Sequence, residues 1–172
     1  INCISPCTPP SIPGFGSNIW NVLGYNGQDI NLGGGTTFRG YYTESSLSYS
    51  SSARWTNTNS PSSASGYTGC SVNNDAHTVV SKRTGVPSAG VYQIDVAAND
   101  DEYLLLVNGS KSFENSYCCL THTGIHTGYF DGSTTFEMRH GDGAGASQQG
   151  LTYTMQNLSA TMVPTNPTSC SA

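Results

Sequence analysis

Residues 90–109, GVYQIDVAANDDEYLLLVNG, decide the fold. Tyr92, Ile94 and Val96 alternate with Gln93 and Asp95, the period of a strand with one buried and one wet face. Asn99-Asp100-Asp101 follows as a tight polar corner. Beyond it, Tyr103 to Val107 is an apolar run too short for a helix, and it reads as a second strand buried on both sides. Asn108-Gly109 closes that strand with a turn needing φ > 0, which Asn and Gly tolerate best. The stretch therefore predicts a hairpin with two adjacent aspartates at its tip and Glu102 just behind them.

Outward from this stretch, composition points the same way. Only 10% of the 172 residues are charged, while 24 Ser and 19 Thr make up a quarter of the chain. Helix surfaces need Ala, Leu, Glu, Lys and Arg, so this usage favours strands and loops. Twenty Gly and eight Pro supply turns. A chain of this length forms one domain and buries roughly 70% of its unfolded surface. The net charge of −5, with no Lys/Arg stripe to neutralise phosphates, argues against nucleic-acid binding. No apolar stretch approaches the ~20 residues of a membrane span. The chain starts without Met or a leader, which is read as the result of processing.

The six cysteines are Cys3, Cys7, Cys70, Cys118, Cys119 and Cys170, and none has the paired CxxC spacing of a zinc site. Their even number, the low charge and the sequons at Asn108 and Asn157 point to an oxidising, extracellular setting with disulfides and N-glycans. Spacing does not choose the disulfide connectivity. Cys118 and Cys119 are adjacent, and each is expected to pair elsewhere.

Along the chain, residues 1–17 hold four prolines and two cysteines and read as an extended arm; residues 164–172 form a matching tail. Either a disulfide between the two ends or a neighbouring molecule is expected to hold them. Between them, 18–163 is one domain. Strands are predicted at 18–25, 38–43, 75–82, 133–139 and from 151 onward, besides the two of the central stretch. Residues 44–69 are a Ser-rich excursion or two weak strands, with a composition that suits O-glycosylation. Residues 110–128 read as irregular, and 141–150, GDGAGASQQG, as a loop with little side-chain bulk. Eight to ten short strands with regular turn signals and no helix predict an all-β, two-layer antiparallel β-sandwich.

The chemistry centres on Asp100 and Asp101. On a regular strand they would face opposite ways. A corner that brings both carboxylates together, which could require a cis peptide between them, would create a repulsion that a hard cation offsets. Calcium also takes backbone carbonyls, which the Gly-rich loop 141–149 can bring close, together with Asp142. The competing reading is a solvated turn. Trp55 is either a platform on which a sugar stacks or an anchor for its loop. His122 and His126 have the helical spacing of metal ligands, but Gly124 lies between them and no helical pattern surrounds them. His77 and His140 are isolated, and surface or hydrogen-bonded roles are expected for them. No GxSxG, HExxH or P-loop occurs, and the other carboxylates are scattered, so no enzyme is predicted.

The central stretch resembles the core of PA14/GLEYA-type domains, where a strand leads to a DD corner and on to a strand ending in a Gly turn. FRGYY and GSTTFEMRHGDGAGASQQGLTYTM fall where that family has its corresponding strands and closing loop. The similarity covers about residues 18–163. Through NIWNVLGYNG, RGYYTE, NSPSSASGYTGC, VVSKRTGVP and the vicinal cysteines it looks closest to the cysteine-containing PA14-like repeats of large surface proteins of gliding bacteria. The resemblance implies a jelly-roll-like sandwich of about ten strands. In sugar-binding members the paired aspartates hold calcium, which binds vicinal sugar hydroxyls. Carried over, the calcium ligands are Asp100 and Asp101, with Asp142 nearby. Asn99, Gln148, Gln149 and Trp55 would meet the sugar. The closing loop here is Gly/Ala-rich where sugar-binding members carry Asn or a bulky aromatic, and Gln148 and Gln149 stand in.

Two functions follow as expectations. One is a non-enzymatic structural or adhesive module of a cell surface, a fibre subunit whose arms make head-to-tail contacts with like copies or neighbouring repeats. The alternative is a calcium-dependent binder of surface glycans.

Overall fold

The structure, a computed structural model, describes residues 6–51, 55, 66–98, 100–119, 121–143 and 152–159. Their strands are β1 (Gly16–Ser17), β2 (Trp20–Asn26), β3 (Thr37–Glu44), β4 (Tyr49–Ser50), β5 (Thr68–Gly69), β6 (His77–Thr84), β7 (Gly90–Ala98), β8 (Glu102–Val107), β9 (Ser110–Asn115), β10 (His122–Phe130), β11 (Thr135–Asp142) and β12 (Thr152–Asn157). The larger sheet has the order β5-β3-β2-β6-β11-β8-β9, with β1 added in parallel beside the end of β6. The smaller has the order β10-β7-β12-β4. All pairings except that of β1 are antiparallel. The expected two-layer β-sandwich is what the chain forms. No helix among the described residues is long and apolar enough to cross a membrane.

The core lies between the sheets. Trp20, Tyr42, Leu105 and Phe136 from the larger sheet meet Ile94, Val96, Phe130 and Tyr153 from the smaller, all of them buried. Phe136 packs edge-on against Phe130 at 4.7 Å, and Trp20 against Tyr153 at 5.5 Å. The larger sheet is also covered on its outer face. There Leu23, Tyr25 and Val80 pack with Leu32, Phe38 and Tyr41. Double burial explains why β2, WNVLGYN, alternates so weakly in sequence.

Two features of the chain depart from the sequence expectation. The strands of the central stretch do not form a hairpin. β7 pairs with β10 and β12 in the smaller sheet, whereas β8 pairs with β11 and β9 in the larger. The Asp100-Asp101 corner is therefore a crossing from one sheet to the other. An alternation pattern identifies a buried face but not the sheet that supplies it. Residues 110–128 are not irregular either, since they hold β9 and most of β10. Both are partly exposed edge strands with few apolar residues, so their pattern is faint. The Asn108-Gly109 turn does form, with φ of 49° and 77°, and it joins β8 to β9.

Residues 6–15 contain no strand, and the Cys7–Cys70 disulfide ties them to the end of β5. The Gly14 carbonyl accepts a bond from Asn21 Nδ2 at 3.0 Å. Cys3, Cys170 and the tail 164–172 lie outside the described residues, as does half of the Ser-rich stretch.

Candidate functional site

The acidic corner is built by the sheet crossing and stitched from below by the end of β11. The Asp101 amide donates to the Gly141 carbonyl at 3.0 Å, and the Gly143 amide donates back to Asp101 Oδ2 at 2.7 Å. His140 Nε2 meets the Asp100 carbonyl. The Ala76 amide donates to Gly143 at 2.6 Å and the Gly27 amide to Ala76 at 2.7 Å, so the turns after β2 and before β6 join the same end of the sandwich. The absence of a side chain at Gly143 lets the ends of Asp101 and Gln28 close on it. A Cβ on Gly143 would stand 2.9 Å from Asp101 Oδ2 and 3.1 Å from Gln28 Oε1.

The peptide bond between Asp100 and Asp101 is cis. Both residues are partly exposed, and their side chains lie within hydrogen-bonding reach of one another. Partial burial, then the neighbouring Asp101, push the Asp100 carboxyl above its ordinary range. Burial does the same to Glu102, reinforced by Asp29 and Asp101. Two carboxylates this close share either a proton or a cation. The donor set is all oxygen, which suits a hard cation such as calcium and not a soft metal.

Asp142 does not join the pair at the surface. It is buried, with Oδ2 3.4 Å from His77 Nδ1. The one group of three His, Cys, Asp or Glu ligand atoms clustered within 4.8 Å among the described residues is Asp100 with Cys118 and Cys119. Trp55 corrects its reading as a sugar platform. It is 4% exposed, donates from Nε1 to Tyr42 Oη at 3.1 Å and stacks on His77 at 5.2 Å. A ring spent on the core has no face left for a ligand. Asn99, Gln148 and Gln149 lie outside the described residues. The sequon residue Asn108 is exposed at its turn, and Asn157 is half-buried in β12.

The cysteine expectation is also corrected. Cys118 and Cys119 are bonded to each other. Among the described cysteines, Cys7 and Cys70 are already taken, and a φ of 73° at Cys119 turns the chain so that the two sulfurs meet. Cys118 Sγ lies 3.0 Å from Asp100 Oδ1.

His77 and His140 are both hydrogen-bonded rather than on the surface, and both lie buried behind the corner, a placement the sequence does not indicate. Register puts His77 opposite Asp142, and His140 opposite Val79. The His77 Nδ1–H donates to the Asn74 carbonyl at 3.0 Å. Burial, and then His140, hold His77 down to about 4, and burial also depresses His140. Both back the site as neutral rings. His122 and His126 each meet a different polar neighbour on β9. His126 Nδ1 meets Ser112 Oγ at 2.5 Å, and His122 Nε2 lies 3.2 Å from Asn115 Nδ2.

With this geometry in hand, comparison with known proteins gives the fold its name. No family model matches the chain, and no curated protein matches it. Among solved structures, the PA14 sugar-binding domain from an RTX adhesin is similar at 20% identity and a TM-score of 0.53, covering 81% of this chain and 90% of that one. The PA14 domain of an antifreeze protein aligns at 19% identity and a TM-score of 0.42, over 86% and 84% of the two chains. The chain has a PA14-like fold.

Proposed function

We propose that this chain is a non-enzymatic, extracellular adhesive module that grips surface glycans through a calcium ion held by Asp100 and Asp101. The observation that carries this is the sheet-crossing corner itself. It brings two carboxylates within reach of one another at the partly exposed end of the sandwich and raises the pKa of one of them. Calcium would relieve that repulsion and keep coordination positions open for two adjacent sugar hydroxyls. A solved adhesin domain of the same fold is described as sugar-binding, which supports the reading. The Cys7–Cys70 bond supports an oxidising location.

Isothermal calorimetry against calcium, followed by a panel of methyl glycosides, tests it. The wild type should bind sugar only with calcium present, and Asp101→Asn should lose both ligands. A protein that takes up neither calcium nor any sugar would end the proposal.

A second reading concerns assembly. Ile12 and Phe15, 57% and 42% exposed, sit on the segment that Cys7 tethers. Exposed apolar side chains on an extended segment suit contact with another copy or a neighbouring repeat, and thus a fibre. Sedimentation of a chain lacking residues 1–15 decides this: assembly equal to that of the full chain would reject a role for the arm.

A further inference from the structure

The vicinal cysteines, bonded to each other, offer no thiolate to a cation, yet the fold sets them beside the acidic corner. Two segments cross between the sheets at the same edge. One runs from β7 to β8 through Asp100 and Asp101; the other runs from β9 to β10 through 116–121. Because β8 pairs with β9 and β7 with β10, the two crossings lie side by side. The second begins at Asn115, which pairs with Tyr103, and ends at His122, which pairs with Val96.

This second crossing is pinned at both ends. Asn115, itself buried, donates from Nδ2 to the Tyr117 carbonyl at 2.9 Å and accepts from the Tyr117 amide at 3.1 Å. Thr121 Oγ1 donates to the Ala97 carbonyl at 2.9 Å. Between the pins the crossing turns apolar groups outward. Tyr117 is 76% exposed, and both cysteines of the disulfide are exposed, with Cys118 Sγ 3.0 Å from Asp100 Oδ1. An exposed aromatic ring on clamped backbone, next to an apolar disulfide and a carboxylate pair, has the make-up of a ligand wall. A pyranose has two chemically distinct sides, a hydroxyl edge that a cation can take and a C–H face that needs an apolar surface. Trp55, buried in the core, cannot provide that surface.

Resting on the glycan reading above, we propose that Tyr117 and the Cys118–Cys119 disulfide form the apolar wall against which the ring face of the bound sugar packs, and so select which sugar is held. Tyr117 supplies the stacking face, and the disulfide that follows it continues the wall up to Asp100.

The test uses the intact, disulfide-bonded chain, with calcium affinity and methyl-glycoside affinity measured separately by calorimetry. Tyr129 is the control. It is 66% exposed but pairs with Val91, at the end of β7 remote from the corner. Tyr117→Ala should weaken sugar binding about tenfold or more and leave calcium affinity unchanged. Tyr117→Phe should retain wild-type sugar affinity, and Tyr129→Ala should change neither ligand. Wild-type sugar affinity in Tyr117→Ala overturns the wall while leaving the calcium-glycan reading intact. A wild type that binds no sugar overturns both.

Discussion

Two neutral histidines back the acidic corner, and they make stability depend on pH. His77 is held down to about 4 in the folded chain, against about 6.5 when unfolded. Between those values the unfolded chain binds a proton that the folded chain refuses, so stability must fall as pH drops from about 6.5 towards 4. The contribution is on the order of 3 kcal/mol. Asp100 and Glu102, with raised pKa values, act in the opposite sense, so the informative quantity is a difference between variants. His77→Phe keeps a ring to stack on Trp55 and removes the titration. Urea midpoints at pH 7 and 4.5 should separate less in this variant than in the wild type; equal separations would mean that His77 is not buried neutral. At this scale the aspartate pair was legible because carboxylates are rare in the chain and two stand together. The histidines were not, because register and sheet packing alone bring His77 opposite Asp142 and bury His140 under the Asp100 carbonyl.

Among the elements, the β8–β9 turn is one whose backbone conformation was written in local sequence, though a strand distant in the chain also holds it. Asn108 adopts φ of 49°, and its Oδ1 accepts a bond from the Thr135 amide at 3.0 Å. Asn108→Ala loses that bond and places a residue less tolerant of the left-handed region there, at a cost of about 1–2 kcal/mol. Thermal unfolding of unglycosylated protein measures this without the sequon intervening, and an unchanged midpoint would show that the turn does not depend on Asn. Strand pairing was less legible than strand existence. β7 and β8 were each visible as apolar patterns, but the same pattern fits a hairpin and a crossing between sheets. β9 and β10 escaped notice because SKSFEN and HTGIHTGYF put few apolar side chains inward at an exposed seam. The seam closes through Ser112–His126 and Asn115–His122 pairs, which no periodicity announces.

At the scale of the molecule, the sandwich joins its two sheets through a shared aromatic core and ties its N-terminal segment down with one long disulfide. Cys7 and Cys70 are 63 residues apart, and opening that loop in Cys7→Ala with Cys70→Ala should cost up to about 4 kcal/mol through unfolded-state entropy. Guanidinium unfolding should show a lower midpoint with the sandwich still formed. The two-layer architecture followed from the turn spacing and the absence of helix patterns; the partner of each cysteine did not, because contacts distant in sequence leave no local trace. The same sandwich carries both crossings to one end, the first of them as the proposed cation site. The most direct measurement is a crystal structure grown with calcium. An ion coordinated by the carboxylates of both Asp100 and Asp101 is the predicted result; calcium bound elsewhere, with both carboxylates turned to solvent, would contradict it.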